Sequence, residues 1–84
     1  MNDPTVHVYI QDTCFHCHDQ INWMTEQGYT FITKDISTEE NQETFLQLGG
    51  RGTPFTVVTK KDGSHETVTG FQKKFLKMFL QTVM

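Results

Sequence analysis

Two cysteines stand three residues apart in Cys14-Phe15-His16-Cys17, and they are the only cysteines among the 84 residues. Thiols at this spacing can open and close a disulfide with a partner, supply part of a zinc site, or form a permanent staple. His16 and His18 flank the pair, so a site of two Cys and two His has its residues present. Near-consecutive residues converge poorly on one tetrahedral metal, however, and the usual second pair at its own spacing is missing. His65 stands alone far along the chain. A staple closing so short a ring would constrain little of the unfolded chain. Redox exchange is the favoured reading, with metal binding by the same thiols as the alternative.

The elements around the pair decide how the thiols would work. Thr5-Val6-His7-Val8-Tyr9-Ile10 alternates and is rich in β-branched and aromatic residues, which predicts a strand. Gln11-Asp12-Thr13 is a short polar turn. From Cys14 the period becomes helical, with Cys17, Ile21, Met24 and Gly28 on one stripe, Trp23 close to it, and Gly28 suited to the helix end. The cysteines therefore sit where a strand hands over to a helix. The first turn of a helix offers unpaired N–H groups and the positive end of the dipole, and both stabilise a thiolate. Cys14, at the very start, should be exposed and act as the nucleophile on a substrate disulfide. Cys17, one turn inside, should be covered, rest as a thiol and resolve the mixed disulfide. His16, between them, is expected to stabilise the Cys14 thiolate and make the pair a stronger oxidant. Asp12 and Asp19 read as solvated loop and helix-surface residues.

Further on, residues 29–36 predict a second strand. Ser37 with Glu40 three residues later is a capping-box pattern opening a helix through Phe45, Leu46 and Leu48, which Gly49-Gly50 ends. Gly52-Thr53-Pro54 leads into the strand Phe55–Thr59. Asp62-Gly63 marks a hairpin turn into the strand Glu66–Thr69, which Gly70 breaks. A last amphipathic helix carries Phe71, Phe75, Met78, Phe79 and Thr82 along one side. Trp23, Phe45, Phe75 and Phe79 are expected in the core. The order βαβαββα predicts an α/β fold, a single domain over residues 1–84, with a four-stranded mixed sheet flanked by three helices. The first strand–helix–strand unit must be parallel and right-handed.

Proline at a strand start is ordinary, and cis bonds are rare even at X–Pro. Beside an upstream strand–C-x-x-C–helix unit and a downstream hairpin, Thr53-Pro54 reads as a cis-proline loop packed beside the two sulfurs. The Thr53 backbone would then be free to pair with an extended substrate, and the loop would keep a competing donor or metal from Cys14. Phe15 is expected to contact partners beside Cys14, with Gly70 and Phe71 on the same surface.

Ten acidic against seven basic residues leave a net charge of −3, with no basic cluster beyond Lys60–Lys61 and Lys73–Lys74, so nucleic-acid binding is not expected. The start Met1-Asn2-Asp3-Pro4 is polar where a secretory signal is basic and then apolar, and no apolar run approaches the roughly 20 residues that span a bilayer. A cytoplasmic monomer without a cofactor is the expectation.

Taken together, the Val-Tyr strand before Cys14-x-x-Cys17, Lys34-Asp35-Ile36-Ser37, Gly52-Thr53-Pro54 and Thr69-Gly70-Phe71 resemble the glutaredoxin-like proteins of the thioredoxin superfamily, most of all the NrdH-type redoxins. The resemblance implies the same roles for Cys14 and Cys17, a cis Pro54 beside them, and service as an electron donor to disulfide-containing proteins, ribonucleotide reductase among them. Glutaredoxins usually carry a lysine three residues before the first cysteine, which meets a glutathione carboxylate; here Gln11 stands there. Their Gly-Gly-x-Asp type stretch after the last strand is replaced by Gly70-Phe71-Gln72-Lys73. Both departures favour thioredoxin reductase over glutathione as reductant. The central Phe15-His16 matches neither the Pro-Tyr common in glutaredoxins nor the Val-Gln common in NrdH-like proteins.

Overall fold

The computed structural model describes residues 5–81. Its elements are β1 (Thr5–Ile10), α1 (Phe15–Glu26), β2 (Ile32–Asp35), α2 (Glu39–Gln47), β3 (Phe55–Thr59), β4 (His65–Thr69) and α3 (Lys73–Leu80). The four strands form one mixed sheet in the order β2-β1-β3-β4. β1 runs parallel to β2, with Val8 opposite Thr33, and antiparallel to β3, with Val6 opposite Val58 and Tyr9 opposite Phe55. β3 and β4 form the hairpin predicted around Asp62-Gly63. Gly63 takes φ 88°, and the Asp62 carboxylate accepts from the Ser64 amide at 2.9 Å and its hydroxyl at 2.6 Å.

Side chains alternate across the sheet and build two clusters. On one face, Val6, Val8, Val58 and Val68 meet Met24 of α1 and Leu76 and Leu80 of α3. On the other, Tyr9, Phe55 and Val57 meet Phe45 of α2. β3 feeds both faces, which is why four successive residues, Phe55 to Val58, are buried.

Three sequence expectations shift. β2 is shorter than residues 29–36. Gly28, at φ 80°, ends α1, and Tyr29 donates its N–H back to the Met24 carbonyl at 3.1 Å. Residues 29–31 thus turn the chain, with Tyr29 and Phe31 packed on the first cluster. The cap of α2 is Thr38, not Ser37: the Asp35 carboxylate takes the Ser37 amide at 2.8 Å, and the Thr38 hydroxyl then accepts from Asn41 N–H at 3.3 Å. Those hydrogen bonds from Ser37 hold the Asp35 carboxyl below the usual carboxylate range. In α3 the buried stripe is Leu76 and Leu80, both fully covered, while Phe75 is 41% and Met78 51% exposed. Phe75 therefore leaves the core and stacks on Phe79 with centroids 6.3 Å apart, Phe79 being partly buried. The branched leucines fit the Val58 and Val68 surface, and the phenyl rings are left toward its rim. Trp23 is likewise only partly buried and Leu46 is exposed, whereas Phe45 is core as expected. Thr82, placed on the α3 stripe, lies outside the described residues.

Candidate functional site

Strand β1 delivers its chain to the sheet's end at Ile10, and a turn closed by Cys14 N–H to the Gln11 carbonyl at 3.2 Å aims it into α1. Cys14 is the N-cap, in extended backbone (φ −95°, ψ 104°), and the helix proper begins at Phe15. A cap residue offers its side-chain acceptor to an unpaired amide of the first turn. Here the acceptor is sulfur: Cys14 Sγ accepts from Cys17 N–H at 3.1 Å. Cys14 and Cys17 are disulfide-bonded, with Cα atoms 5.2 Å apart. The two sulfurs differ in access. Cys14 is partly exposed, and Cys17 is 1% exposed on the buried stripe of α1.

The second half of the chain completes the surroundings. The antiparallel register Tyr9–Phe55 puts Pro54 one step further, at the end of β1 from which the cysteine turn departs. The Thr53–Pro54 bond is cis, and Pro54 is buried. The Thr53 hydroxyl donates to Gln11 Oε1 at 3.2 Å, tying the proline loop to the turn before Cys14. From the third side, Gly70, at φ 83°, donates its N–H to the Pro54 carbonyl at 2.7 Å. The left-handed backbone there suits glycine and ends β4 beside the loop.

The structure thus brings Cys14, Cys17, Gln11, Thr53, Pro54 and Gly70 to one end of the sheet. Phe15 is 84% exposed, between the cysteines in sequence and outside them in space. His16 is exposed as well. His18 turns away: its Nε2 lies 3.4 Å from the Asp12 carbonyl oxygen. The Phe71 ring packs on Trp23, centroids 5.8 Å apart, with the Lys73 ammonium 5.6 Å above it. Among the described residues, no group of three or more His, Cys, Asp or Glu is placed to hold a metal ion, and no helix is long and apolar enough to cross a membrane.

Two residues of the site's foundation escaped the sequence reading. Gln20 and Thr56 are wholly buried polar side chains, joined by Gln20 Nε2–H to Thr56 Oγ1 at 2.6 Å. Their signal was the stripe itself, since Gln20 falls between Cys17 and Met24 at helical spacing.

A four-stranded mixed sheet in this order, with a cis-proline loop and a disulfide at the first strand–helix junction, is the thioredoxin fold. Solved structures with the same architecture include the thioredoxin-like protein BC3987, with TM-score 0.77 at 24% identity over 90% of this chain and 100% of that one. The C-terminal domain of Neisseria meningitidis DsbD in its oxidised form superposes with TM-score 0.72 at 26% identity, covering 95% of this chain and 80% of that one. Thioredoxin f from spinach chloroplast does so with TM-score 0.76 at 21% identity, covering 98% and 77%. No protein-family model matches the sequence, and no curated protein matches it. The fold and its C-x-x-C disulfide together support thiol–disulfide redox chemistry.

Proposed function

We propose that the protein is a thiol–disulfide oxidoreductase that reduces disulfide-containing proteins. The observation that carries this reading is the placement of Cys14 as N-cap, with Cys17 N–H directed at its sulfur and Cys17 buried behind it. In the reduced protein, that N–H and the helix N-terminus favour the Cys14 thiolate. The thiolate attacks a substrate disulfide, and the substrate's leaving sulfur departs with the bonding pair. Cys17 then loses its proton, attacks Cys14 Sγ, restores the disulfide seen here and releases the second substrate thiol. An extended substrate segment would lie against Thr53 and Pro54, with Phe15 offering an apolar contact beside the mixed disulfide.

The reductant proposed is a thioredoxin reductase, with ribonucleotide reductase among the candidate electron acceptors. Gln11 supports this choice. The position where glutaredoxins hold a lysine for glutathione carries a neutral amide here, engaged by the Thr53 hydroxyl. Oxidised protein offered NADPH with thioredoxin reductase should turn over; turnover only with NADPH, glutathione and glutathione reductase would reverse the assignment of reductant. Cys17→Ser should accumulate substrates as mixed disulfides on Cys14. Equal trapping by Cys14→Ser would overturn the division of roles.

A further inference from the structure

Gln20 lies one turn beyond Cys17 on the buried face of α1 and is 0% exposed. Its Nε2 is occupied: it donates to Thr56 Oγ1 at 2.6 Å and lies 3.5 Å from Met24 Sδ, toward the helix C-terminus. Its carbonyl oxygen, Oε1, is buried and has no hydrogen-bond partner among the described residues. Buried carbonyls without a donor are rare, and each calls for a reason. Helical side chains at i and i+3 share a face, and the later one leans back over the earlier turn. Cys17 stands one turn before Gln20 on the buried stripe of α1, and its Sγ carries no hydrogen while it is bonded to Cys14.

We infer that Gln20 is a positioning residue for the resolving thiol, its Oε1 accepting the S–H of Cys17 that appears only when the disulfide is reduced. The inference rests on the thiol–disulfide reading above. The step balances simply. A reducing dithiol gives two electrons and two protons, and its own sulfurs become a disulfide. The Cys14–Cys17 bond breaks, and Cys17 Sγ, too buried to remain charged, keeps one proton. That proton is the donor Oε1 lacks in the oxidised state. The hydrogen bond forms in the dithiol state alone, so it stabilises that state and makes the protein more oxidising. Thr56, two residues after Pro54, holds the amide in place for both states.

The test uses Gln20→Met, which keeps length and apolar volume but removes the carbonyl. Against a dithiothreitol redox buffer, its dithiol–disulfide equilibrium is expected to move about tenfold toward the disulfide, which is about 30 mV more negative for a two-electron couple. In a Cys14→Ser background, where Cys17 is the only thiol, the Raman S–H stretching band is expected at a hydrogen-bonded frequency. Adding Gln20→Met should raise it to that of a free thiol. If Gln20→Met does not fold, Gln20→Asn, which draws the carbonyl back by one methylene, reads the same band. A band that does not move, or an equilibrium shifted less than twofold, overturns the inference. A merely structural Gln20 would lower the melting temperature of both redox forms equally and leave both readouts in place. Failure of the wider functional reading would appear differently, as no reduction of protein disulfides by the unmodified protein.

Discussion

The two faces of the sheet are built by different means. The face under α1 and α3 is aliphatic, made of Val6, Val8, Val58, Val68, Met24, Leu76 and Leu80. Two helices cover it, and it tolerates one buried polar pair, Gln20 with Thr56, because the pair is hydrogen-bonded. The face under α2 is aromatic. Phe45 meets Phe55 edge-on at 5.4 Å and 87°, and Tyr9 lies 5.8 Å from Phe45. One helix of nine residues covers it, so large rings supply the area that a second helix supplies opposite. Close approach follows: Gly50 lies against the Phe45 ring, and a Cβ there would run into it. Redox chemistry belongs to the aliphatic face, since Cys17 continues the stripe that holds Gln20 and Met24. The aromatic cluster is a support that contains neither cysteine.

Substitutions on the two faces should therefore separate stability from chemistry. Phe45→Ala is expected to cost about 3–5 kcal/mol in urea unfolding, while leaving the dithiol–disulfide equilibrium within about twofold of the parent, because only the support is damaged. A large redox shift in that variant would erase the distinction between the faces. On the aliphatic side, Leu76→Ala should cost about 2–5 kcal/mol, and its neighbour Phe75→Ala less than about 0.5 kcal/mol. The reverse order would mean that α3 is rotated from the phase described. At the edge of the aromatic face, Thr38→Ala should lose about 0.5–2 kcal/mol, because Asn41 N–H loses its acceptor; Ser37→Ala should cost less, since alanine keeps the amide that Asp35 binds, and calorimetry on the pair checks this.

The smallest effect is a pH slope. Partial burial, with help from nearby Lys34, holds the His7 imidazole below its ordinary value of 6.5. The unfolded chain then takes up the proton more readily than the folded one. This contribution is complete above about pH 6.5 and declines as pH falls through the lower folded value. Melting temperatures measured from pH 8 to 5 should fall less steeply in His7→Gln than in the parent. Asp35 and Asp62 act in a lower window, below their ordinary value of 3.8, because both are held low by hydrogen bonds from serines.

Much of this was legible in one dimension. The change of period at Cys14, the Asp62-Gly63 turn and the order of elements define the fold, and Thr53-Pro54 read as cis in that setting. The phase of α3 was not legible. Phe75 with Phe79 and Leu76 with Leu80 share the same i, i+4 spacing, and only the surface they dock on chooses between them. Ser37 and Thr38 are both competent caps, and Asp35 decides by binding the Ser37 amide. The Gln20–Thr56 and Gln11–Thr53 hydrogen bonds join positions 36 and 42 residues apart, and no local pattern encodes such pairings. The packing of Phe71 on Trp23 is hidden from a local reading for the same reason.

The strand order has a consequence for how the protein comes into being. β1 precedes the other three described strands in the chain, yet it is interior to the sheet, and one of its two neighbours is β3, roughly fifty residues later. Cys14 and Cys17 are therefore synthesised well before Thr53, Pro54 and Thr56, the residues that complete their surroundings. Until β3 pairs with β1, the segment that carries the two thiols has neither the proline loop nor the Thr56 hydroxyl beside it. The surroundings of the two sulfurs are thus complete only when the β3–β4 hairpin has paired with β1.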